Sequence, residues 1–431
     1  MGLARRLQAR GFRVEFWGEP GSRNLVRTQR FEHYELQEAW YCHERLLPPG
    51  WPSLLARPAA AAAMLRSLRS RKRGTAAALT RFEQSLDRQL ARSCPVLVIL
   101  DSMLAAYLPL LHKRRVNCVL LQDKPLPLPD PLVPPPTSSL VPSNTWWGRA
   151  DVRLRWGCEH VGALRRAIGS GLLGMLGAYT SEQLLKHIRS NAAHECSVMR
   201  PYRRVSYDLH YEGAQEWVLG TPEDDFRRLA PLPAHIRYIG PCVDLERIQA
   251  RSTAVNAAET ERMIYVSMGT TVPRWNSDLP LLRRIIEAFG GVRGVRLAIA
   301  SGNARARAAL RNDFPNVHIS AYLPQLSMLE RADLAITHAG ANAFRECIAT
   351  GTAMLAFPRE FDQPGNAARV MYLGLGLRGS RRFDCPQSIR EKGMRVLQDT
   401  RYTERARELK ATVERLEPLL LESALRAVVR V

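Results

Sequence analysis

Short apolar runs and segments with helical periodicity follow one another along the C-terminal half of the chain. The apolar runs, each a predicted buried strand, are MIYVSMG, VRLAIASG, VHIS, DLAITHAG and AMLAFP. The segments between them have helical spacing, and several end at glycine. This alternation predicts a parallel, doubly wound α/β sheet, in which ligands bind at the carboxyl ends of the strands. The candidate binding loops are therefore those after Ser267, Ser301, Ser320, Thr337 and Pro358.

The N-terminal half has a less regular version of the same pattern. FRVEFWG, PVLVILDS and VNCVLLQD are predicted strands, and AAYLPLLHKRR between the last two is a predicted helix, so we expect a second α/β sheet. Residues 124–142 are dense in proline and predict an extended loop. Residues 237–247 contain a Gly-Pro step typical of a linker between domains. Residues 402–431 predict two amphipathic helices separated near Pro418.

Length and charge limit the class of protein only loosely. A chain of 431 residues that is 46% hydrophobic predicts two or three folded domains. Its formal net charge of +21 is compatible with nucleic acid, an anionic membrane face or an anionic substrate, and equally with a genome that favours arginine codons. A nucleic-acid binder has no support beyond this charge, so we expect no nucleic-acid partner.

Cysteine spacing and hydropathy bear on metal binding and location. The eight cysteines form no Cys-x-x-Cys pair, which favours reduced thiols in a cytoplasmic protein over a zinc site or a disulfide framework. No apolar run reaches the roughly 18–20 residues of a membrane span. We expect no metal and no resident cofactor.

The segment THAGANAFREC, residues 337–347, is the first candidate for chemistry. A strand delivers His338 to the sheet edge, and Gly340 permits close approach of a ligand to the backbone. A helix beginning near Asn342 offers free N–H groups to an anion, whereas Glu346 one turn later suits neutral ribose hydroxyls. This pattern predicts a nucleotide diphosphate pocket. An ordinary strand-turn-helix with Asn342 as its N-cap explains the segment equally well.

Other strand ends carry groups that suit the remaining parts of a nucleotide sugar. Tyr322 is placed to stack on a base and Gln325 to hydrogen-bond to it. The small-residue loop 267–271 offers hydroxyls near phosphate, and the adjacent Asp362 and Gln363 suit sugar hydroxyls. Complementary groups on several aligned strand ends favour the nucleotide-sugar interpretation.

The stretch AYLPQLSMLERADLAITHAGANAFRECIATGTAMLAFPREFDQPGNAARVMYLGLG resembles the donor-binding signature of the UDP-glycosyltransferase family, including its bacterial macrolide and carotenoid types. The resemblance implies the α/β GT-B fold, with two facing Rossmann-like domains and a nucleotide sugar in the cleft. It implies an acceptor-binding domain over residues 1–240 and a nucleotide-sugar-binding domain over residues 250–400. Residues 401–431 would be C-terminal helices that cross back to the N-terminal domain.

The resemblance also implies a role for individual positions. His338 would contact the diphosphate and Glu346 the ribose hydroxyls. Ala343 stands where the family usually has a serine or threonine, which removes one phosphate contact, and Tyr322 stands where many members have tryptophan. The candidate donor-binding residues are together Ser267, Gly269, Thr270, Tyr322, Gln325, His338, Gly340, Ala341, Asn342, Glu346, Asp362 and Gln363.

Inverting transfer needs a base for the acceptor hydroxyl, which in the family is a histidine after the first strand, oriented by an aspartate. Asp101 fits the aspartate and is the candidate catalytic residue. The opening MGLARRLQARGFRVEF resembles the first helix of the fold running into its second strand, so we expect the first strand and its histidine loop to be missing. His33, His43 and His112 are expected to be surface or loop residues.

Two explanations of the missing strand stay open. Either the natural protein begins further upstream, or the chain lacks the usual base. We favour the first, because loss of a central strand leaves unpaired backbone on both neighbours. The function expected from these features is hexose transfer from a UDP- or TDP-sugar to a hydroxyl. The alternative is a nucleotide-sugar-binding partner protein without turnover.

Two stretches bear on the acceptor and on location. Residues 52–74 are apolar and then strongly basic, and residues 144–156 bring three tryptophans among arginines. They favour an apolar small-molecule acceptor and peripheral contact with the inner face of a membrane. Ordinary packing and a solvated helix face are equally open interpretations.

Overall fold

The computed structural model describes residues 1–36, 79–175, 201–203, 209–246, 258, 260–269, 275–310 and 312–429. The strands are β1 Glu15–Gly18, β2 Glu32–Glu35, β3 Val98–Asp101, β4 Cys118–Gln122, β5 Pro201–Arg203, β6 Leu209–Tyr211, β7 Glu216–Val218, β8 Ile236–Tyr238, β9 Arg262–Ser267, β10 Val295–Ala300, β11 Val317–Ser320, β12 Leu334–Thr337, β13 Met354–Ala356 and β14 Gly376–Arg378.

The first α-helix precedes β1, and the others connect the strands or follow the last of them. They are α1 Gly2–Gln8, α2 Arg23–Thr28, α3 over residues 79–93, α4 Leu108–Lys113, α5 Trp146–Met175, α6 Trp275–Phe289, α7 Ala304–Ala309, α8 Gln325–Arg331, α9 Ala341–Thr350, α10 Gln363–Tyr372, α11 Pro386–Gln398 and α12 Thr400–Val428.

The C-terminal sheet is six-stranded and parallel, with the order β11-β10-β9-β12-β13-β14. Its strands are apolar along most of their length because both faces are covered. One face packs against α6 through Leu281, Ile285 and Phe289, and the other against α9 through Phe344 and Ile348. The chain order reverses between β9 and β12, so a crevice is expected at the carboxyl ends of these two strands.

The N-terminal half contains two separate parallel sheets, β1-β2 and β3-β4-β7-β8. No described strand pairs with the free edge of β1 or of β3. Trp17 of β1 lies in the same apolar cluster as Val98 and Leu100 of β3, so side-chain packing joins the two sheets at this edge.

The histidines expected at the surface differ in their environment. His33 lies on β2, is 7% exposed and lies 2.9 Å from the Ser22 hydroxyl, so the expectation was wrong for this residue. The strand alternation that buries His33 was too short to recognise in the sequence. His112 is exposed in the last turn of α4, and His43 lies outside the described residues.

The proline-dense segment 124–142 contains no helix or strand, as predicted, and it contacts α10 directly. The Gly365 N–H donates to the Pro136 carbonyl over 3.0 Å, and a Cβ on Gly365 would lie 2.3 Å from that oxygen. Only glycine therefore allows this approach of α10 to the segment from the N-terminal half.

The last helix joins the two halves. Leu409 and Val413 pack beneath the C-terminal sheet, whereas Leu421 and Leu425 pack with Trp217 and other residues of the N-terminal half. The prediction of two helices was wrong, since α12 is continuous through Pro418. The free energy gained by packing both ends of the helix exceeds the cost of the one backbone hydrogen bond that Pro418 cannot donate. None of the described helices is long and apolar enough to cross a membrane.

Candidate functional site

The carboxyl ends of β9 and β12 form the centre of the candidate site. The two strands are paired so that Ser267 and Thr337 lie side by side, and the chain then leaves the sheet at Met268 and His338. The turn into α9 contains Ala339 with φ of +56°, which is unusual for a residue other than glycine. Backbone strain of this kind is concentrated at ligand-binding turns.

Two glycines bracket the imidazole ring of His338. A Cβ on Gly269 would lie 2.9 Å from Cε1 of the ring, and a Cβ on Gly340 would lie 2.5 Å from Nε2. Gly269 also has φ of +86°, a conformation that favours glycine. The two glycines therefore leave space for the ring at the point where both strands end, and they fix its position.

The electrostatics of His338 keep its ring neutral at pH 7. Burial is the main reason that the pKa of His338 is lowered to about 4. Arg359 and Arg381 contribute to the lowering, whereas Asp278 and a hydrogen bond with the Ser267 backbone oppose it. Both arginines pair with Asp278, with 3.4 Å between Arg359 Nη1 and Asp278 Oδ1. A neutral ring has one N–H, and its hydrogen bond with the Ser267 backbone helps to fix the ring, while the two guanidinium groups add positive charge near it.

The N-terminus of α9 comes next along the chain. The helix begins at Ala341 and not at Asn342, with Gly340 as its N-cap residue, and the Ala341 N–H donates to the Asp362 carboxylate over 3.0 Å. Asn366 also donates to Asp362, over 2.8 Å, and to the carbonyl of Ala339, over 2.9 Å. Asp362 is thus a buried part of the turn, and burial raises its pKa. Two further N–H groups of the first turn lack helical acceptors.

Three candidate residues lie beside the next turn of α9. Gln325, the first residue of α8, donates through its side-chain amide to the carboxylate of Glu346, which is 8% exposed. Tyr322 is 75% exposed in the loop after β11. An exposed ring next to a fixed amide–carboxylate pair suits a base and a ribose lying across the end of the sheet.

The remaining donor-site candidates have separate positions. The side-chain oxygen of Gln363 accepts from the Arg359 N–H over 2.9 Å, so the amide stabilises its own loop. Ser267 is half-buried at the end of β9. Thr270 lies outside the described residues.

Asp101 approaches the site from the N-terminal sheet. It ends β3, and its carboxylate accepts the Met103 N–H over 2.8 Å. Partial desolvation and the neighbouring Asp123 raise the pKa of Asp101, whereas Lys124 lowers it. Arg345 on α9 donates to the Asp123 carbonyl, so the ends of β3 and β4 lie opposite the first turn of α9.

Several residues that hold the two halves together were not among the sequence candidates. Arg345 donates to Asn342 over 2.6 Å as well as to Asp123, and Arg369 pairs with Asp225 over 2.6 Å. Asp123 and Asp225 lie more than 140 residues away from these arginines in the chain, and no local pattern marks the two pairs. A small cavity of about 30 Å³ lies between the halves, and its lining includes Lys124, Arg345 and Arg369.

The described residues contain no group of three or more His, Cys, Asp or Glu side chains arranged to hold a metal ion. The positive groups at the crevice are instead arginines, a lysine and the helix N-terminus. These groups can bind a pyrophosphate by hydrogen bonds and charge.

Comparison with known proteins identifies the domain that carries this site. Residues 295–419 match the family model of the erythromycin biosynthesis protein CIII-like C-terminal domain. The chain is 31% identical over 154 residues to an oleandomycin glycosyltransferase of Streptomyces antibioticus, a match that covers 36% of this chain and 35% of that protein. It is 32% identical over 170 residues to a zeaxanthin glucosyltransferase of Pantoea ananas, with 37% of each chain covered.

The matched segments thus span little more than a third of the curated relatives' length. The fold likeness extends further. The crystal structure of the kitacinnamycin glycosyltransferase superposes with a TM-score of 0.61 at 18% identity, covering 98% of this chain and 92% of that chain. The fold is therefore GT-B, and the family match covers the C-terminal domain of the chain, residues 295–419.

Proposed function

We propose that the protein transfers a hexose from a UDP- or TDP-sugar to a hydroxyl group of an apolar small molecule, with inversion at the anomeric carbon. The main support is the crevice between β9 and β12. There a neutral imidazole, an open helix N-terminus and two arginines lie around one position. Groups that stabilise the negative charge of a departing nucleoside diphosphate are what this reaction requires of a protein.

The proposal assigns one part of the donor to each part of the site. The diphosphate lies at His338 and the first turn of α9, and the ribose lies against Glu346. The base stacks on the exposed ring of Tyr322 and is held by Gln325. Asp101 faces this position from the other domain, where the acceptor binds. Two similar proteins are an oleandomycin glycosyltransferase and a zeaxanthin glucosyltransferase, which supports an apolar small-molecule acceptor.

Donor binding is tested by calorimetric titration with UDP and TDP. We expect both nucleotides to bind. Glu346→Gln should weaken the binding of UDP more than the binding of TDP, because thymidine diphosphate lacks the 2′-hydroxyl. Glu330→Gln is the matched control, since Glu330 is exposed at the end of α8, the helix that begins at Gln325. If neither UDP nor TDP binds, the proposed donor site is refuted.

Turnover is tested by mass spectrometry with UDP- and TDP-hexoses and a panel of hydroxylated acceptors. A product heavier by one hexose on the apolar acceptors supports the proposal, whereas transfer to polar sugars or peptides alone contradicts it. Asp101→Asn is expected to abolish turnover while leaving UDP affinity unchanged.

A second candidate is a nucleotide-sugar-binding protein without turnover. It is favoured by the surroundings of Asp101, because the hydrogen bond recorded for its carboxylate comes from the Met103 backbone and from no described histidine. This candidate predicts UDP binding of normal strength with no hexosylated product from any acceptor.

A further inference from the structure

Helix α5 has one apolar face that is packed and another that is not. Val152 and Trp156, on the packed face, are 0% and 5% exposed and lie against Leu140. The indole N–H of Trp156 donates to the Val133 carbonyl over 2.8 Å. This face accounts for the attachment of the helix to the proline-rich segment.

The opposite face carries a second line of large apolar side chains. Trp147, Leu154, Val161 and Ile168 are 66%, 63%, 51% and 56% exposed, and they recur at intervals of seven residues. Seven residues are close to two helical turns, so the four side chains share one line along the helix. Leu164 is 61% exposed next to this line. We call these five residues the outer stripe.

The outer stripe begins at a pair of exposed aromatic rings. Trp146, 66% exposed, stacks on Trp147 at the first turn of α5. Tryptophan has a large apolar surface with a polar N–H, and it is enriched where apolar and aqueous phases meet. Single exposed apolar residues are common on proteins, but an ordered stripe of this length marks an interaction surface.

One exposed arginine flanks the outer stripe on each side, and the exposed Asp151 lies beside the stripe as well. At 100° per residue, Arg153 lies on one side of Leu154 and Arg155 lies on the other, and Arg165 lies along the stripe itself. All three arginines are exposed. The acidic Glu159 is turned to the packed side, where its carboxylate accepts from the Thr137 hydroxyl over 3.0 Å.

We propose that the outer stripe binds the surface of an anionic lipid bilayer, with α5 lying parallel to the membrane plane. Apolar side chains accompanied by three exposed arginines, against one exposed aspartate, match a surface that is apolar inside and negatively charged outside. The formal net charge of +21 adds long-range attraction to the same surface. A second copy of the helix fits less well, because its arginines would face those of the first. The proposal does not depend on the glycosyltransferase function.

The test is co-sedimentation of the full chain with vesicles of equal parts phosphatidylglycerol and phosphatidylcholine. We expect binding to these vesicles, a blue shift of tryptophan fluorescence on binding, and loss of binding in high salt. Leu154→Glu should weaken binding by about tenfold or more, the loss expected from one buried leucine. Leu419→Glu, at a residue that is 65% exposed on α12, is the matched control and should bind normally.

The charge contribution is tested with a second pair of variants. Arg153→Glu/Arg155→Glu should weaken binding by roughly tenfold or more, since each basic residue near such a surface contributes about 1 kcal/mol. The control is Arg305→Glu/Arg307→Glu, which reverses two exposed charges at the same spacing on α7.

Three outcomes would overturn the proposal. The first is binding to pure phosphatidylcholine vesicles that is as strong as binding to the anionic vesicles. The second is a loss of vesicle binding in a test variant that is no larger than the loss in its control. The third is a dimer in light scattering that Leu154→Glu converts to monomer, which would assign the stripe to a second copy of the chain.

Discussion

Replacing Asp225 by alanine should destabilise the attachment of the two halves. Arg369 on α10 donates through Nε and Nη2 to one oxygen of Asp225, over 2.8 and 2.6 Å, and the Tyr238 hydroxyl donates to the other oxygen over 2.6 Å. Arg369 is 1% exposed and lies over the ring of Phe226. Asp225 belongs to the N-terminal half, so its loss leaves a buried guanidinium without its counter-charge.

The size of the effect follows from this burial. Breaking a buried, hydrogen-bonded ion pair by removing one partner costs about 3–5 kcal/mol. For a cooperative unit of this size, each kcal/mol lowers Tm by roughly 2–4 °C, so we expect a fall of about 6–20 °C. An exposed pair such as Arg426 with Glu422 should contribute only about 0–1 kcal/mol.

The assay is thermal unfolding followed by calorimetry, with a double-mutant cycle. Asp225→Ala and Arg369→Met are measured singly and together, and Glu422→Ala serves as the control. The double variant should be more stable than the sum of the single effects predicts, because it removes both buried charges. If Asp225→Ala costs no more than Glu422→Ala, or if the two single effects simply add, the pair does not hold the halves together.

Low pH should weaken the same contact. Burial alone raises the pKa of Asp225, but Arg369 and Arg228 outweigh it and hold the pKa below its usual value of 3.8. An acid with a lowered pKa contributes stability above its unfolded pKa and loses it as pH falls towards the folded value. The Tm difference between the parent chain and Asp225→Asn should therefore shrink in acid.

Three other predictions follow from single groups at the site. Gly340→Ala should weaken UDP binding by roughly 10- to 100-fold, because its Cβ would lie 2.5 Å from the His338 ring, which must then move. Gly21→Ala, with open space around its Cβ, is the control, and equal affinities in the two variants would contradict this role. In an NMR titration the chemical shifts of the His338 ring should change with a midpoint near pH 4, and a midpoint near 6.5 would show that the ring is not desolvated. Burial and Asp225 raise the pKa of Asp224 to about 7, so stability from its protonated form is present below pH 3.8 and is lost as pH rises through 7. Asp224→Asn should therefore raise Tm at pH 8 and leave it nearly unchanged at pH 4, and an equal change at both pH values would refute the assignment.

Local periodicity was enough to predict most of the C-terminal sheet. Its strands are apolar runs covered on both faces, and its helices have one apolar side, so each element shows in about ten residues of sequence. The strand ends followed directly, and His338, Gly340 and Glu346 lie at the crevice where the pattern placed them. Helix α9 begins at Ala341, one residue before the start that the sequence pattern predicted, and the Ala341 N–H donates to Asp362.

The sequence by itself determined the elements that form the crevice between β9 and β12, because those depend on neighbours close in the chain. Tertiary structure alone decided which distant groups meet. It paired Arg369 with Asp225, kept α12 continuous through Pro418 by packing it on both halves, and placed a line of large apolar side chains of α5 at the surface. Each of these outcomes depends on contacts between residues far apart in the chain, whose free energy no local pattern records.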